Sequence, residues 1–276
     1  MVDWITGEKF IGIADMVYAP ENTKGDRNPL VNTFCTCDLK TTNIIYTHTM
    51  YVKELFDKIQ KLKSCKFVVI THNCDENVSD ISILPDNVIR WFSQNVNVSH
   101  PKIQSIPIGL ENDKWFTAAN KKGKMEAKLQ TPKKYKNLVY MNHNINTFST
   151  ERADIYDLLQ DKPWVTTVQG VNGKGFDEYL DNLYNHKYII CPRGNGIDTH
   201  RLWETLYMGS IPIVKKDINN WFYHDLPMLY VHKWEELDEK ILEDMWDTYH
   251  LGEWNKEMLN FEYWKNKILN LTYYKE

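Results

Sequence analysis

The sequence predicts an α/β protein made of two Rossmann-like domains with mainly parallel sheets. Three observations carry this expectation. Short apolar runs of strand length alternate with segments whose apolar residues recur every three or four positions, the pattern of strands and the helices that cover them. The chain has 276 residues, enough for two domains of ordinary size. One apolar run, Tyr188 to Cys191, passes through a glycine-bearing loop straight into a helix pattern.

In chain order, FIGIAD, VNTFCTCDL and NIIYTHT read as short strands, with the turn-rich PENTKGDRNPL between the first two. Residues 51–63 put Leu55, Ile59 and Leu62 on one helical face. KFVVITH follows as a strand whose unbroken apolar centre suits burial on both faces. VIRWFSQNV and KIQSIPIGL add two strands, and the lysine-rich tract 111–137 reads as the connection between domains.

The second half opens with NLVYMNHN, a strand running into an amide-rich loop, then a helix through Gln160 capped by Ser149 or Thr150. WVTTVQG is a strand, FDEYLDNLYNHK a helix and YIIC a strand. After the glycine loop, a helix is expected to run to about Met208 and stop at Gly209. IPIVKK and PMLYVH are strands on either side of the connector NNWFYHDL, and 234–249 is a helix. In the tail, Trp254, Met258, Phe261, Trp264, Ile268 and Leu271 recur at spacings of three and four, a further helix. These elements set domain boundaries at 1–125, 126–250 and, for the terminal helix, 251–276.

Lys and Arg total 33 against 37 Asp and Glu, a net charge of −4, which argues against a nucleic-acid partner. Asp3, Glu8 and Lys9 interrupt what a signal peptide would need as an apolar core, and no apolar run reaches the ~20 residues of a membrane-spanning helix. Five cysteines, with Cys35 and Cys37 too close for a usual zinc pair, fit a reducing cytoplasm.

The stretch CPRGNGIDTHRLWETLYMGSIPIV concentrates turn chemistry, charge and a helix start at one point. Gly194 and Gly196 permit angles closed to other residues, Asp198 or Thr199 caps the helix, and Arg193 and Arg201 bring two permanent charges. Free backbone N–H groups and a helix N-terminus stabilise an anion there. Asn195 and His200 sit in the same turn. Arg201 and Glu204, three residues apart, share a helix face, the arginine suited to phosphate and the carboxylate to ribose hydroxyls. A structural Arg–Glu pair is the bland alternative.

Residues Tyr188 to Lys215 also resemble the C-terminal signature of exostosin-like glycosyltransferases, in which a Pro-Arg-Gly loop leads into an Arg-x-x-Glu helix and a Gly-x-Ile-Pro strand. The likeness fades through WFYHDLPMLYVHKWEEL and covers about a third of the chain well. It implies a GT-B architecture, two Rossmann-like domains facing across a cleft, and a UDP-sugar donor with a glycan acceptor. Within that family the chain resembles compact soluble members from large algal DNA viruses. That likeness implies UDP-xylose as donor and a host cytoplasm as location.

No Asp-x-Asp triplet occurs in the sequence, so the two hard carboxylates that grip a diphosphate-bound cation in many such enzymes are missing. Metal-independent transfer without a cofactor is therefore expected, with Arg193, Gly194, Asn195, Gly196, Asp198, Thr199, His200 and Arg201 at the diphosphate and Glu204 at the ribose; an inverting transferase is the leading reading. Asn142, Asn144 and Arg152 are placed on the opposite wall. The base is expected from the first domain, in the polar stretch that ends KFVVITH and follows it, Asp75 first and His72 second, with Glu76 and Asp80 of the same loop and Asp15 of FIGIAD also credible. A GDP-sugar-dependent fucosyltransferase-like enzyme and a non-catalytic nucleotide-sugar or glycan-binding protein are the alternatives. A kinase is disfavoured because no Gly-x-x-x-x-Gly-Lys-Ser/Thr motif is present.

Overall fold

A computed structural model describes residues 2–20, 29–113, 116–168 and 175–272. Most of the turn-rich segment expected at 20–30, and the end of WVTTVQG, lie outside the described residues. The chain forms two compact α/β units. One is Asp3–Ile108 with Asn260–Glu276; the other is essentially Gly109–Leu259.

The first unit contains α1 (Gly7–Gly12), β1 (Met16–Val17), β2 (Thr42–Thr47), α2 (Val52–Ile59), β3 (Lys66–Thr71), β4 (Val88–Ser93) and β5 (Ile103–Ser105). Its five strands lie in sequence order and every pairing is parallel. Phe67 to Ile70 at the centre of β3 are fully buried, as an apolar run covered on both faces requires.

Two expected strands are absent. The first half of FIGIAD is the last turn of α1, because its burial is one-sided: Phe10 is buried while Ile11 and Ile13 are only half so. The chain comes close at Gly7, where an added Cβ would lie 2.1 Å from Asn73 Oδ1. VNTFCTCDL forms a 3-10 turn at Thr36–Asp38, with a disulfide between Cys35 and Cys37 in place of the free thiols expected of a reducing compartment.

The second unit contains α3 (Phe116–Leu129), β6 (Asn137–Met141), α4 (Ser149–Leu159), β7 (Val165–Thr167), α5 (Phe176–Asn185), β8 (His186–Ile190), α6 (His200–Tyr207), β9 (Ile211–Lys215), α7 (Ile218–Trp221), β10 (Leu229–Val231) and α8 (Glu239–Leu251). The tract 111–137 is thus largely a helix of this unit rather than a connector. Met125 is buried, Lys124 pairs with Asp177 at 2.7 Å, and Lys128 pairs with Asp181, fastening α3 to α5. Its thin apolar stripe is why the sequence pattern is weak.

Helix starts also differ from expectation. Phe148, in the left-handed region at φ 52°, precedes α4, and neither Ser149 nor Thr150 caps it. The helix expected at 234–249 is a 3-10 turn, Trp234–Glu236, followed by α8, whose first N–H groups are taken by Asp238. The tail forms a 3-10 turn and then α9 (Phe261–Leu269). α9 packs in the first unit: Asp3 accepts the Phe261 and Glu262 N–H groups at 3.0 and 2.8 Å, and the Phe261 ring meets Phe10 edge-on at 5.2 Å.

The second sheet has the order β10-β9-β8-β6-β7, all parallel. In chain terms this is the 2-1-3-4-5 arrangement. The first and third strands of the unit, β6 and β8, are neighbours, and the order reverses between them. Ligands of open α/β sheets bind at such a switch point, beyond the carboxyl ends of the strands. Met141 ends one of these strands and Ile190 the other.

Candidate functional site

The polypeptide leaving β6 carries Asn142, His143 and Asn144, and the polypeptide leaving β8 is the glycine loop, Cys191 to Thr199. The structure thereby brings all the second-unit candidates to one switch point. It places His72 and Asp75 in the first unit, after β3.

Arg152 staples the two loops together. Reaching from α4, it donates from Nε to the Arg193 carbonyl at 2.7 Å, from Nη1 to that of Asn144 at 3.2 Å, and from Nη2 to that of Pro192 at 3.4 Å. It is only 6% exposed, and burial, reinforced by the Arg201 charge, pulls its pKa down to about 10. Bound to three carbonyls and buried, Arg152 holds the loops in place.

Gly194 lies under this staple: an added Cβ would be 3.3 Å from Arg152 Nη2. A side chain here would press on the staple, which would have to give by a few tenths of an ångström. The expected unusual backbone angles are not used, since among the described residues the positive-φ glycines are Gly109 and Gly209. Gly209, at φ 72°, ends α6 where the sequence put the stop. The Gly194 N–H bonds the Gly196 carbonyl at 3.0 Å.

The capping expectation is also revised. Thr199 is the N-cap residue, but its side chain makes no capping bond. Asp198, buried, accepts the Thr199 N–H at 2.9 Å and the Trp203 indole N–H at 2.8 and 3.0 Å, so its carboxylate anchors the loop to the helix. His200 bonds from Nδ1 to the Gly109 carbonyl at 2.7 Å, and the Asn144 amide oxygen accepts the Asn146 N–H at 3.0 Å, a local turn. The Asn195 carbonyl accepts from Arg193 Nη2 at 3.2 Å.

Arg193 and Arg201 flank the loop differently. The Arg193 guanidinium lies 4.2 Å from the Phe148 ring centroid and donates to the carbonyls of its own loop. Arg201 Nη2 donates to Asn142 Oδ1 at 3.2 Å, and its buried Nε has no hydrogen-bond partner. The bland Arg201–Glu204 pair does not form; among the described ion pairs none involves an arginine. Glu204 instead accepts the Tyr179 hydroxyl at 2.5 Å, and it borders a recess with Leu110, Glu111, Lys121, Lys122 and Met125.

The charge balance follows. Three guanidinium groups surround the loop, and none is neutralised within 4.0 Å by a described carboxylate. The same field acts on neighbouring groups. His143, buried, is pulled down to about 4 mainly by desolvation, with both Arg201 and Arg152 contributing. Its Nε2–H donates to the Arg152 carbonyl at 2.9 Å, leaving Nδ1 buried without a partner. Burial pushes the Cys191 thiol up to about 12, which removes it as a nucleophile. Asp217, after β9, is pushed up to about 6 by burial, against the pull of Arg193.

His143, Phe148 and Tyr179 were not singled out from the sequence. His143 sat between two amides that were; Phe148 and Tyr179 lie in a turn and on a helix face whose partners are distant in sequence.

In the first unit, His72 is fully engaged. Its Nδ1 accepts the Asn73 N–H at 2.8 Å and its Nε2–H donates to the Pro107 carbonyl at 2.9 Å, the neutral tautomer. Asp15 accepts from the Ile44 N–H and Lys40 Nζ, at 2.8 and 2.6 Å. Asp80 takes both Ser82 donors, which hold its pKa below the usual range. Asp75 and Glu76 are exposed.

Among the described residues, one group of His, Cys, Asp or Glu has ligand atoms close enough to share a metal ion, namely Cys35, Cys37 and Asp38 in the first unit, and its two sulfurs are bonded to each other. No described helix is long and apolar enough to cross a membrane.

No protein-family model matches this chain, and no curated protein matches it by sequence. Among solved structures, it is similar to a UDP-forming α,α-trehalose-phosphate synthase from Burkholderia xenovorans, at 10% identity and TM-score 0.46, over 84% of this chain and 74% of that one. It is also similar to a GtfA/B complex, at 11% identity and TM-score 0.35, over 83% of this chain and 54% of that one. With TM-scores below 0.5, neither likeness carries an inference about activity. The chain itself is an α/β protein of two units, each on a five-stranded parallel sheet.

Proposed function

We propose that this protein is a glycosyltransferase that holds the diphosphate of a UDP-sugar at the switch point between β6 and β8 and transfers the sugar to a glycan hydroxyl. The observation that carries the reading is the uncompensated charge there. Arg201 presents a buried N–H with no acceptor, and Arg152 and Arg193 add charge without a carboxylate partner. Buried donors lacking acceptors are costly, and a diphosphate supplies oxygens and negative charge together. One helical turn deeper, Glu204 faces the ribose hydroxyls with Tyr179 fixing its orientation.

In the transfer, the acceptor oxygen attacks the anomeric carbon as the bond to the β-phosphate oxygen breaks with inversion. The electron pair leaves on the diphosphate, where Arg193 and Arg201 stabilise it. Asp75 takes the acceptor proton. It is favoured over His72, whose Nδ1 lone pair and Nε2–H are both occupied. The donor sugar is assigned as xylose and transfer as metal-independent, the latter because the sequence lacks an Asp-x-Asp pair.

The deciding experiment is a thermal-shift panel of nucleotide sugars, because a ligand that binds only the folded state raises its stability. Stabilisation by UDP and UDP-xylose is expected. Response to GDP-fucose alone would move the donor to a guanosine sugar, and no response to any nucleotide would overturn the reading. Stabilisation without turnover on glycan acceptors would make the protein a binder. Full activity in excess chelator is expected; loss that manganese restores would overturn metal independence.

A further inference from the structure

The Cys35–Cys37 bridge lies outside everything assigned to sugar transfer. It joins residues two apart in sequence, on the 3-10 turn of the first unit. Cys37 is exposed and Cys35 half-buried.

A structural cross-link constrains the unfolded chain, and its effect grows with the length of loop it closes. This bridge closes the loop of a single intervening residue, so it removes little freedom. By the same linkage, folding does little to hold the two sulfurs together beyond what their sequence spacing already does. The turn is anchored without it. The Thr33 N–H donates to the Val17 carbonyl at 2.8 Å, the Val17 N–H donates to Thr33 Oγ1 at 2.9 Å, and Asn32 Oδ1 accepts the Ala19 N–H at 3.2 Å. The Phe34 ring packs edge-on against Tyr18 at 5.9 Å. A bond that contributes little to the fold, on exposed sulfur, belongs to the labile class of disulfides.

We propose that Cys35 and Cys37 form a thiol–disulfide exchange site that reacts reversibly with low-molecular-weight thiols and their disulfides, glutathione being the probe. In the reducing direction, a glutathione thiolate attacks the Cys37 sulfur. The Cys35–Cys37 bond breaks, a mixed disulfide forms at Cys37, and Cys35 leaves as a thiolate that takes a proton from water. A second glutathione thiolate attacks the glutathione sulfur of the mixed disulfide, releasing Cys37 as a thiolate, which is likewise protonated, and glutathione disulfide. Two electrons pass from two thiols to one protein disulfide. The reverse sequence re-forms the bridge.

The test uses the full chain without denaturant. It is equilibrated in buffers of varied reduced-to-oxidised glutathione ratio, quenched with acid, alkylated after unfolding, and mapped by peptide mass. The Cys35–Cys37 peptide is expected to pass from bridged to doubly alkylated in one two-electron step within the range glutathione sets, while Cys74 and Cys191, both buried, stay alkylatable throughout. The reduced protein should keep its circular-dichroism spectrum. Cys37→Ser should accumulate glutathione on Cys35, since no neighbouring thiol remains to displace it. A bridge that survives excess reduced glutathione, a pair that stays reduced in excess glutathione disulfide, or a Cys37→Ser protein that takes up no glutathione at Cys35 would each overturn the proposal.

Discussion

Arg201 Nη2 donates to Asn142 Oδ1 at 3.2 Å, tying the first turn of α6 to the residue that follows β6. The bond spans the switch point, so the geometry of the proposed donor site and the sheet topology share one contact. The buried Arg201 Nε has no acceptor, and its charge already depresses Arg152 and His143. On the proposed function, such a residue weakens the free protein and serves the bound diphosphate. Arg201→Gln is therefore expected to leave the melting temperature of the free protein unchanged or higher, and to weaken UDP binding by roughly 10- to 100-fold, the scale of a charge-assisted hydrogen bond. Melting curves with and without UDP check both halves. A lower melting temperature with unchanged UDP affinity would make Arg201 structural.

Phe148 combines an unfavourable backbone with a useful side chain. A bulky residue at φ 52° costs on the order of 1 kcal/mol, and its ring supports the Arg193 guanidinium at 4.2 Å. Phe148→Gly removes both. Thermal stability should change little, because relief of strain offsets the lost contact, while donor KM rises about 5-fold for a lost cation–π contact of about 1 kcal/mol. Phe148→Tyr should retain the wild-type KM. Equal losses in Phe148→Gly and Phe148→Tyr would rule out ring support.

Much of this architecture was readable from local pattern. β3 and the β8-loop-α6-β9 run are fixed by apolar runs, Pro192 and Gly209, signals confined to a few neighbouring residues. What escaped depended on distant partners. α3 buries Met125 and is held by Lys124 and Lys128 to acids on α5, so its stripe is too thin to announce a helix. FIGIAD has strand composition, yet Phe10 turns inward against His72 and Phe261, a partner at the far end of the chain. The same holds at the site. The arginines and glycines were visible as types, whereas the staple made by Arg152 and the Tyr179–Glu204 bond exist only once α4 and α5 are placed.

Asp75→Asn tests the proposed base. Asp75 is exposed on the loop after β3, while the second-unit residues around the glycine loop are untouched by the change. UDP stabilisation should match the wild type, and turnover should fall by roughly 100-fold or more, the usual scale for a positioned acid or base. His72→Gln is the contrast. His72 bonds the Asn73 N–H and the Pro107 carbonyl, so its loss should appear first in the melting temperature. Near-normal turnover in Asp75→Asn would remove that residue from the role.

His143 predicts a pH dependence whose sign is set by its environment. Burial beside Arg201 and Arg152 brings its pKa from 6.5 to about 4 in the folded protein. Between those values the unfolded chain binds the proton and the folded protein does not, so stability rises with pH. Stability should fall as pH drops from about 6.5 to about 4 and level off below, a loss of up to about 3 kcal/mol from this group. Asp217 acts in the opposite sense. Its folded pKa is about 6 against 3.8, so the folded state holds the extra proton there and stability falls as pH rises through that window. The two partly cancel in the wild type, and the His143 contribution is read as a difference. Urea denaturation of the wild type and His143→Gln across pH 4 to 7 should give a wild-type-minus-variant stability difference that rises with pH, with the variant curve itself flatter or sloping downward as pH rises. Parallel curves would mean that His143 titrates alike in both states and feels no field from the arginines at the switch point.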